Sequence, residues 1–225
     1  MDNGADITII TGHFGSGKTE TAINLAFEWK KKHDKVAVAD LDIVNPYYRA
    51  RDVRALFAEN GIELIAPAEK LAQSDLPIVT GDIYRVLYDP EYKVIIDAGG
   101  DKDGAMALGQ FYNDWAGMQP EVLFILNANR PYVSTLEGAI DTVLKIESAS
   151  RLKVTGLVNN SNVGSDTRVE DVLKGVELSR KLSGELGIPI KQTILSGHLE
   201  EKAESFDPGH PVKVMSRYLK LPWEL

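Results

Sequence analysis

Short runs of β-branched and aliphatic residues recur along the chain, and stretches with helical periodicity separate them. Seven such runs lie at 6–11, 35–42, 62–67, 92–100, 121–129, 153–161 and 188–195. The runs are almost continuous in Val, Ile and Leu, which is typical of strands buried on both faces of a parallel sheet. The pattern therefore predicts a mostly parallel sheet of about seven strands.

Three of the intervening stretches carry apolar stripes at helical spacing. One begins at Lys18, and the others cover 132–151 and 165–187, with Gly187 as a helix stop. Strands that alternate with helices indicate an α/β fold whose sheet is covered by helices on both faces. Because no repeat, low-complexity segment or linker interrupts the pattern, residues 1–225 are predicted to form a single domain.

Composition and charge exclude several classes of function. The net charge of −8 argues against non-specific binding to nucleic acid or to an anionic membrane, because both surfaces would repel the protein. The chain has no cysteine, which rules out disulfides, thiolate zinc sites and cysteine-ligated iron–sulfur clusters. No signal-peptide pattern opens the chain, and no apolar run approaches the ~20 residues of a membrane span. The sequence favours a cytoplasmic protein.

The segment GHFGSGKT has the spacing of a phosphate-binding loop, G-x-x-x-x-G-K-[ST], between a predicted strand and a predicted helix. Glycines let backbone N–H groups converge on phosphate oxygens, and the helix N-terminus adds a favourable dipole. Lys18 supplies a cation for the β- and γ-phosphates, and Thr19 offers its hydroxyl to Mg²⁺. The predicted nucleotide-binding residues here are Gly12, His13, Phe14, Gly15, Ser16, Gly17, Lys18, Thr19 and Glu20.

Three carboxylates stand at the ends of predicted strands. Asp97 closes the run KVIID and is expected to reach Mg²⁺ directly or through water, unless it caps a helix. We expect Asp40 and Asp42 to point to opposite faces of their strand, so that only one of them faces the ligand. Asp42 is the predicted one, as a metal contact and as the residue that orients the attacking water; the alternative is a capping or surface role.

The segments GHFGSGKT, VAVADLDIVNP, VIIDAGGD and TGLVNNS together resemble the MinD/ParA-like (CobQ/CobB/MinD/ParA) group of P-loop ATPases. Nitrogenase iron protein and the signal-recognition GTPases are more distant relatives. The resemblance extends from Ile7 to about Leu195 and implies a three-layer P-loop NTPase fold, Mg²⁺-dependent ATP hydrolysis and often an ATP-bound homodimer. It also places the switch I aspartate at Asp42 and the switch II aspartate at Asp97.

The same resemblance assigns the adenine contact to Asn160, with Asn159 as the less favoured choice. A loop turn is the alternative role for these asparagines. In the related GTPases, guanine is recognised by an Asn-Lys-x-Asp pattern, but here Val163 stands three places after Asn160. ATP is therefore predicted in preference to GTP.

The phosphate loop departs from the family pattern at two positions. Where dimerising members carry a lysine that reaches the partner's nucleotide this chain has His13, and where they carry the next glycine it has Phe14. Two interpretations stay open. Either His13 replaces the trans-acting cation, or the loop acts as an ordinary phosphate loop and any dimer forms differently.

The sequence thus predicts a Mg²⁺-dependent ATPase that acts as a nucleotide-controlled switch on a client protein it does not identify. The alternatives are an ATP-dependent kinase or ligase acting on a small molecule, as in dethiobiotin synthetase relatives, and a module that binds ATP without cleaving it. The segment 42–52 is expected to meet a partner protein or to lead into a helix. Arg130 is interpreted as a surface residue rather than a nucleotide contact.

Overall fold

The computed structural model describes residues 7–42, 53–66, 81–100 and 102–219. Most of the segment predicted to meet a partner, 43–52, lies outside these residues. Within them, no helix combines the length and the apolar character that crossing a bilayer requires.

Eight strands form one sheet in the described part of the chain, and every pairing between them is parallel. They are β1 Ile7–Thr11, β2 Lys35–Leu41, β3 Glu63–Ile65, β4 Tyr92–Ala98, β5 Glu121–Leu126, β6 Gly156–Asn159, β7 Ile190–Ser196 and β8 Val212–Met215. Their order across the sheet is β3-β2-β4-β1-β5-β6-β7-β8. Seven coincide with predicted runs. β8 was missed because this edge strand has only four residues and no fully buried position.

The helices are α1 Lys18–Lys30, α2 Arg54–Glu59, α3 Asp82–Leu87, α4 Lys102–Gly109, α5 Tyr112–Met118, α6 Leu136–Ser150 and α7 Val169–Leu186. Two 3₁₀ segments lie at Gly164–Asp166 and Gly197–Ser205. The three predicted helices correspond to α1, α6 and α7. The other four have only six to eight residues, which is about two turns and too short for a clear apolar stripe.

The sheet separates two hydrophobic cores and so forms the middle of three layers. On one face α1 and α2 cover residues such as Ile10 and Ile95, and on the other α3 to α7 cover Ile9 and Ile96. Neighbouring residues of one strand enter different cores because side chains alternate along a strand. This double burial explains the continuous apolar runs in the sequence, and it confirms the predicted α/β fold.

The strand order places a crevice beside β1. β1 lies between β4 and β5, and the chain leaves β1 for α1 on one face but leaves β4 for α4 on the other. Loops that diverge in this way leave an opening at the carboxyl ends of the strands, where ligands bind in open α/β sheets. The carboxyl ends of β1, β2, β4, β5 and β6 all lie along this edge.

The predicted end of α7 at Gly187 can be tested by mutation. Gly187 has a φ of 68°, so Gly187→Ala is expected to destabilise the fold by about 1 kcal/mol through strain at a left-handed position. Gly184, exposed inside α7 with open space around it, is the matched control, and Gly184→Ala is expected to stabilise by about 0.5–1 kcal/mol. Urea unfolding of both variants measures the difference, and equal signs would contradict the assignment of the helix end.

Candidate nucleotide-binding site

The glycine-rich loop is pressed between neighbouring strands. Gly12, Gly15 and Gly17 have φ values of 141°, 73° and 88°, which side chains rarely adopt. A Cβ on Gly12 would lie 2.4 Å from the carbonyl oxygen of Ile125 on β5, and one on Gly17 would lie 2.3 Å from Nδ2 of Asn160. The motif glycines are thus required by the space around them as well as by their backbone conformation.

Lys18 and Thr19 open α1 directly after this loop, as predicted. Their side chains are almost fully buried, and Gly17 occupies the N-cap position in a left-handed conformation. The Thr21 hydroxyl donates to the Gly17 carbonyl at 2.9 Å and steadies the first turn. Free amide groups at this helix terminus, together with the buried ammonium of Lys18, form a suitable cradle for phosphate oxygens.

Two aspartates stand side by side at the ends of adjacent strands. Asp97 on β4 and Asp40 on β2 are register partners, and both are buried on the face that α1 covers. The backbone amide of Asp42 donates to Oδ1 of Asp40 at 3.2 Å, and the charges of Asp40 and Asp42 both raise the pKa of Asp97. The expectation that Asp40 and Asp42 point to opposite faces was therefore wrong, because residues two apart along an extended chain share a face.

Asp97 is the most perturbed acid of the site. Burial raises its pKa to about 8, and the negative charge of Asp40 adds to the effect, while Lys18 and the nearby Thr19 hydroxyl oppose it. Although that hydroxyl favours the charged form, neither carboxylate oxygen has a hydrogen-bond partner of good geometry. A buried carboxylate with both oxygens unpartnered is suited to receiving a cation.

These residues fit a magnesium ion that arrives with a nucleotide. Mg²⁺ commonly takes one or two carboxylates and completes its shell with phosphate oxygens and waters. Thr19 and Asp97 would hold it, with Asp42 beside them. In the described part of the chain, no three Asp, Glu, His or Cys side chains are arranged to hold a metal by themselves.

Both predicted asparagines make internal hydrogen bonds. Nδ2 of Asn159 donates to the Val172 carbonyl and the Thr193 hydroxyl, at 3.2 and 3.3 Å, which ties α7 to the sheet. Nδ2 of Asn160 donates to the Ser16 carbonyl at 2.8 Å, so this residue supports the phosphate loop. Contact with adenine stays a prediction for Asn160, and Asn159 lies buried beneath α7.

His13 and Phe14 lie on the outer surface of the loop. The His13 ring packs against Tyr132 at 5.5 Å between centroids, and its Nδ1 lies 3.0 Å from the Phe14 carbonyl oxygen. The Phe14 side chain is 58% exposed. Both side chains thus face the surroundings of the loop, where a ligand or another protein would meet them.

The side chain of Glu20 is engaged by the C-terminal segment. Its carboxylate accepts hydrogen bonds from the backbone amides of Tyr218 and Leu219, and burial raises its pKa. The side chain therefore ties the C-terminal segment to the first turn of α1. Only its backbone remains available to the phosphate site.

Two further residues belong to the site but were not predicted as contacts. Nε of Arg130 donates to the Gly15 carbonyl at 2.9 Å. A Cβ on Gly100 would lie 1.9 Å from the Gly12 carbonyl oxygen, so the segment after β4 packs directly on the phosphate loop. The position of Arg130 just after β5 was a sequence signal for a place near the site. Its closeness to Gly15 follows from the strand order, which places β5 next to β1.

No protein-family model matches the sequence, and no curated protein does. Solved structures do match. FtsY from Mycoplasma mycoides is 19% identical with a TM-score of 0.60, and the match covers 85% of this chain and 60% of that one. Cell division protein FtsY from Thermotoga maritima is 21% identical with a TM-score of 0.58, over 84% of this chain and 60% of that one. Signal recognition particle receptor FtsY from Elizabethkingia anophelis, in complex with GDP, is 20% identical with a TM-score of 0.55, over 86% and 57%.

This likeness establishes the P-loop NTPase fold. The chain spans about 60% of the length of these structures, and the low identity carries no further assignment. Signal-recognition proteins were expected as distant relatives only. The closer MinD/ParA-like grouping rests on the sequence motifs and stays a prediction.

Replacing Asp97 with Asn is expected to stabilise the protein in the absence of nucleotide and metal. The folded state raises the pKa of this group from 3.8 to about 8, so it binds the proton more tightly than the unfolded state does. Its contribution to stability is therefore present at low pH and is lost as the pH rises from about 4 to about 8. The gain in melting temperature should be greater near pH 8.5 than near pH 5, on the order of several degrees.

Asp141→Asn is the matched control for this measurement, because Asp141 is exposed on α6 and pairs with Lys145 at 2.6 Å. Its melting temperature should follow that of the wild type at both pH values. A lower melting temperature for Asp97→Asn near pH 8.5 would show that the buried carboxylate is stabilising and would contradict the electrostatic account.

Proposed function

We propose that this protein is a Mg²⁺-dependent nucleoside triphosphatase, with ATP as its preferred substrate, that acts as a nucleotide-controlled switch on a partner protein. One observation carries the proposal. The buried and unpartnered carboxylate of Asp97 faces Lys18 and Thr19, the two motif residues that follow the glycine-rich loop. This combination supports binding of a phosphate chain together with its metal ion.

Each residue has a distinct part in the proposed hydrolysis. The loop amides and Lys18 bind the phosphates and stabilise the charge that develops on the transferred phosphoryl group. Thr19 and Asp97 hold Mg²⁺, which when bound neutralises charge between the β- and γ-phosphates. Asp42, on the same face as Asp40 and Asp97, orients the attacking water.

The preference for ATP rests on the loop after β6. Val163 stands where the guanine-binding aspartate of the GTPase pattern would be, and it is 46% exposed and apolar. An apolar side chain offers no acceptor for the N–H groups of guanine. Since FtsY from Elizabethkingia anophelis was solved with GDP, the base preference is the part of the proposal that most needs a direct comparison of ATP with GTP.

The proposed switch rests on the contact between Gly100 and Gly12. The segment after β4 has no room for a Cβ against the loop, so a shift of the loop on binding the terminal phosphate would displace this segment. The exposed Phe14 and the half-buried His13 lie at the same end of the sheet. We assign this end of the molecule to contact with the client protein or with a second copy of the chain.

Lys18→Ala is expected to lower phosphate release from ATP by at least about 10²-fold, because a buried cation at the phosphates is lost. Phosphate release is measured with Mg²⁺-ATP and Mg²⁺-GTP, and circular dichroism checks the fold. Lys145→Ala on the exposed face of α6 is the matched control and should leave turnover unchanged.

Retained turnover in Lys18→Ala would contradict the assignment of the phosphate loop. Release of phosphate by the wild type without any added acceptor distinguishes a triphosphatase from a kinase or ligase. Binding of ATP with no phosphate release during long incubation would instead identify the non-hydrolysing module.

A slow-hydrolysing Asp42→Ala variant is expected to dimerise with Mg²⁺-ATP and to be monomeric with Mg²⁺-ADP. The physical reason is that the half-buried His13 and the exposed Phe14 adjoin the phosphate cradle, so a bound triphosphate would alter this surface. Light scattering gives the solution mass in each state. A monomer in both states would contradict the dimer and would leave the client as the sole partner.

A further inference from the structure

Arg130 lies against the outside of the phosphate loop. Its Nε donates to the Gly15 carbonyl at 2.9 Å, and its Nε, Cζ and Cδ lie 3.3, 3.6 and 3.7 Å from the position that a Cβ on Gly15 would occupy. The side chain is exposed to solvent and nevertheless folds back on the loop of its own chain. Arg130 is thus a cation fixed at the rim of the phosphate cradle.

A hydrogen-bonded turn after β5 positions the Arg130 side chain beside the phosphate loop. The Arg130 amide donates to the Asn127 carbonyl at 3.0 Å, which closes a turn at the carboxyl end of β5. The fully buried Asn127 side chain donates to the Asn162 carbonyl and accepts from the amides of Asn129 and Asn162, at 3.0 to 3.2 Å. Because β5 pairs directly with β1, from which the phosphate loop departs, the turn holds Arg130 beside Gly15.

The guanidinium has hydrogen-bonding capacity left over. Arginine carries five N–H donors, of which Nε–H supplies one and the two terminal nitrogens supply the rest. Among the described residues, the Arg130 side chain makes one hydrogen bond, to the Gly15 carbonyl. The four remaining N–H groups can therefore bind an anion at the rim.

A bound phosphate chain would bring negative charge that a cation such as Arg130 can contact. Asp40 and Asp42 are buried beside the phosphate loop, and Lys18 is a buried cation in the same site. A nucleoside triphosphate adds further negative charge, of which Mg²⁺ neutralises only a part. A guanidinium binds phosphate oxygens in pairs and keeps its charge at any ordinary pH, so it suits this position.

We propose that Arg130 is a catalytic residue that binds the terminal phosphate in cis, so that the site distinguishes a nucleoside triphosphate from a diphosphate; this rests on the proposed function. The loop amides and Lys18 bind the inner phosphates, and Arg130 binds the oxygens of the terminal phosphate. The side chain acts on its own loop because it is folded onto Gly15 rather than extended away from it.

The role is electrostatic. In the hydrolysis step a water oxygen forms a bond to the terminal phosphorus while the bond from that phosphorus to the bridging oxygen breaks. The electron pair of the broken bond stays on the diphosphate, and the proton from water passes to solvent or to the released phosphate. Arg130 donates hydrogen bonds to the non-bridging oxygens throughout and transfers no proton.

The test compares triphosphate with diphosphate in Arg130→Gln and Arg130→Lys. Arg130→Gln is expected to lower kcat for ATP hydrolysis by about 10²–10³-fold, the usual effect of losing one such donor. It should weaken ATP binding about 10-fold while ADP binding changes less than about 3-fold, because the lost contacts involve the terminal phosphate. Arg130→Lys keeps the charge and should fall between wild type and Arg130→Gln.

Arg151→Gln is the matched control, since Arg151 is also exposed and lies at the C-terminal end of α6, away from the loop. Calorimetry gives the two affinities, and thermal unfolding confirms the fold. Equal weakening of ATP and ADP in the Arg130 variants would mean that Arg130 only shapes the loop, and no change in either affinity would mean that it is a surface residue. Both outcomes overturn the inference and leave the proposed function intact.

A mixing experiment separates action in cis from action in trans. Arg130→Gln keeps the cradle, and Lys18→Ala keeps Arg130 but has lost the cradle's cation. Recovery of turnover on mixing the two would show that one chain supplies Arg130 to another, which overturns the cis assignment. If the wild type binds neither ATP nor GTP, the proposed function fails as well, and this result is distinct from the others.

Discussion

A carboxylate with no hydrogen-bond partner is buried at the centre of the site, and the surrounding groups are placed in relation to it. Asp97 lies at the end of β4 with Asp40 on the adjacent strand, so two acids share a region that excludes water. Burial and this like charge both favour the neutral form, which is why the pKa of Asp97 rises to about 8. Without a ligand the arrangement destabilises the fold, and two hydrophobic cores offset that cost.

A bound cation would reverse this balance. With Mg²⁺ and phosphates present, the charged form of Asp97 gains the partner that it lacks, and Lys18 shares the phosphate oxygens. These groups would then supply binding free energy although their burial is unfavourable without a ligand, which would link nucleotide binding to stability. Close backbone contacts at Gly12 and Gly100 allow small shifts of the loop to reach the segment after β4.

Contacts between residues that are distant in the chain could not be predicted from local patterns. Arg130 and Gly15 are separated by 115 positions, and the contact between them exists because β5 lies beside β1. Glu20 was predicted at the nucleotide, but its carboxylate is engaged by the amides of Tyr218 and Leu219 from the other end of the chain. A local pattern carries no information about which distant segment will reach a side chain.

The sequence by itself determined the α/β class, seven of the eight described strands, the three longest helices and the glycine-rich loop between β1 and α1. These features depend on local sequence. Continuous apolar runs indicate strands buried on both faces, and the glycine spacing indicates a backbone conformation that side chains would not allow. Only the tertiary structure decided the eighth strand, the neighbours of Asp97 and the position of Arg130. Each of these depends on strand order and on the packing of loops at one edge of the sheet, which many sequences with the same local pattern could arrange differently.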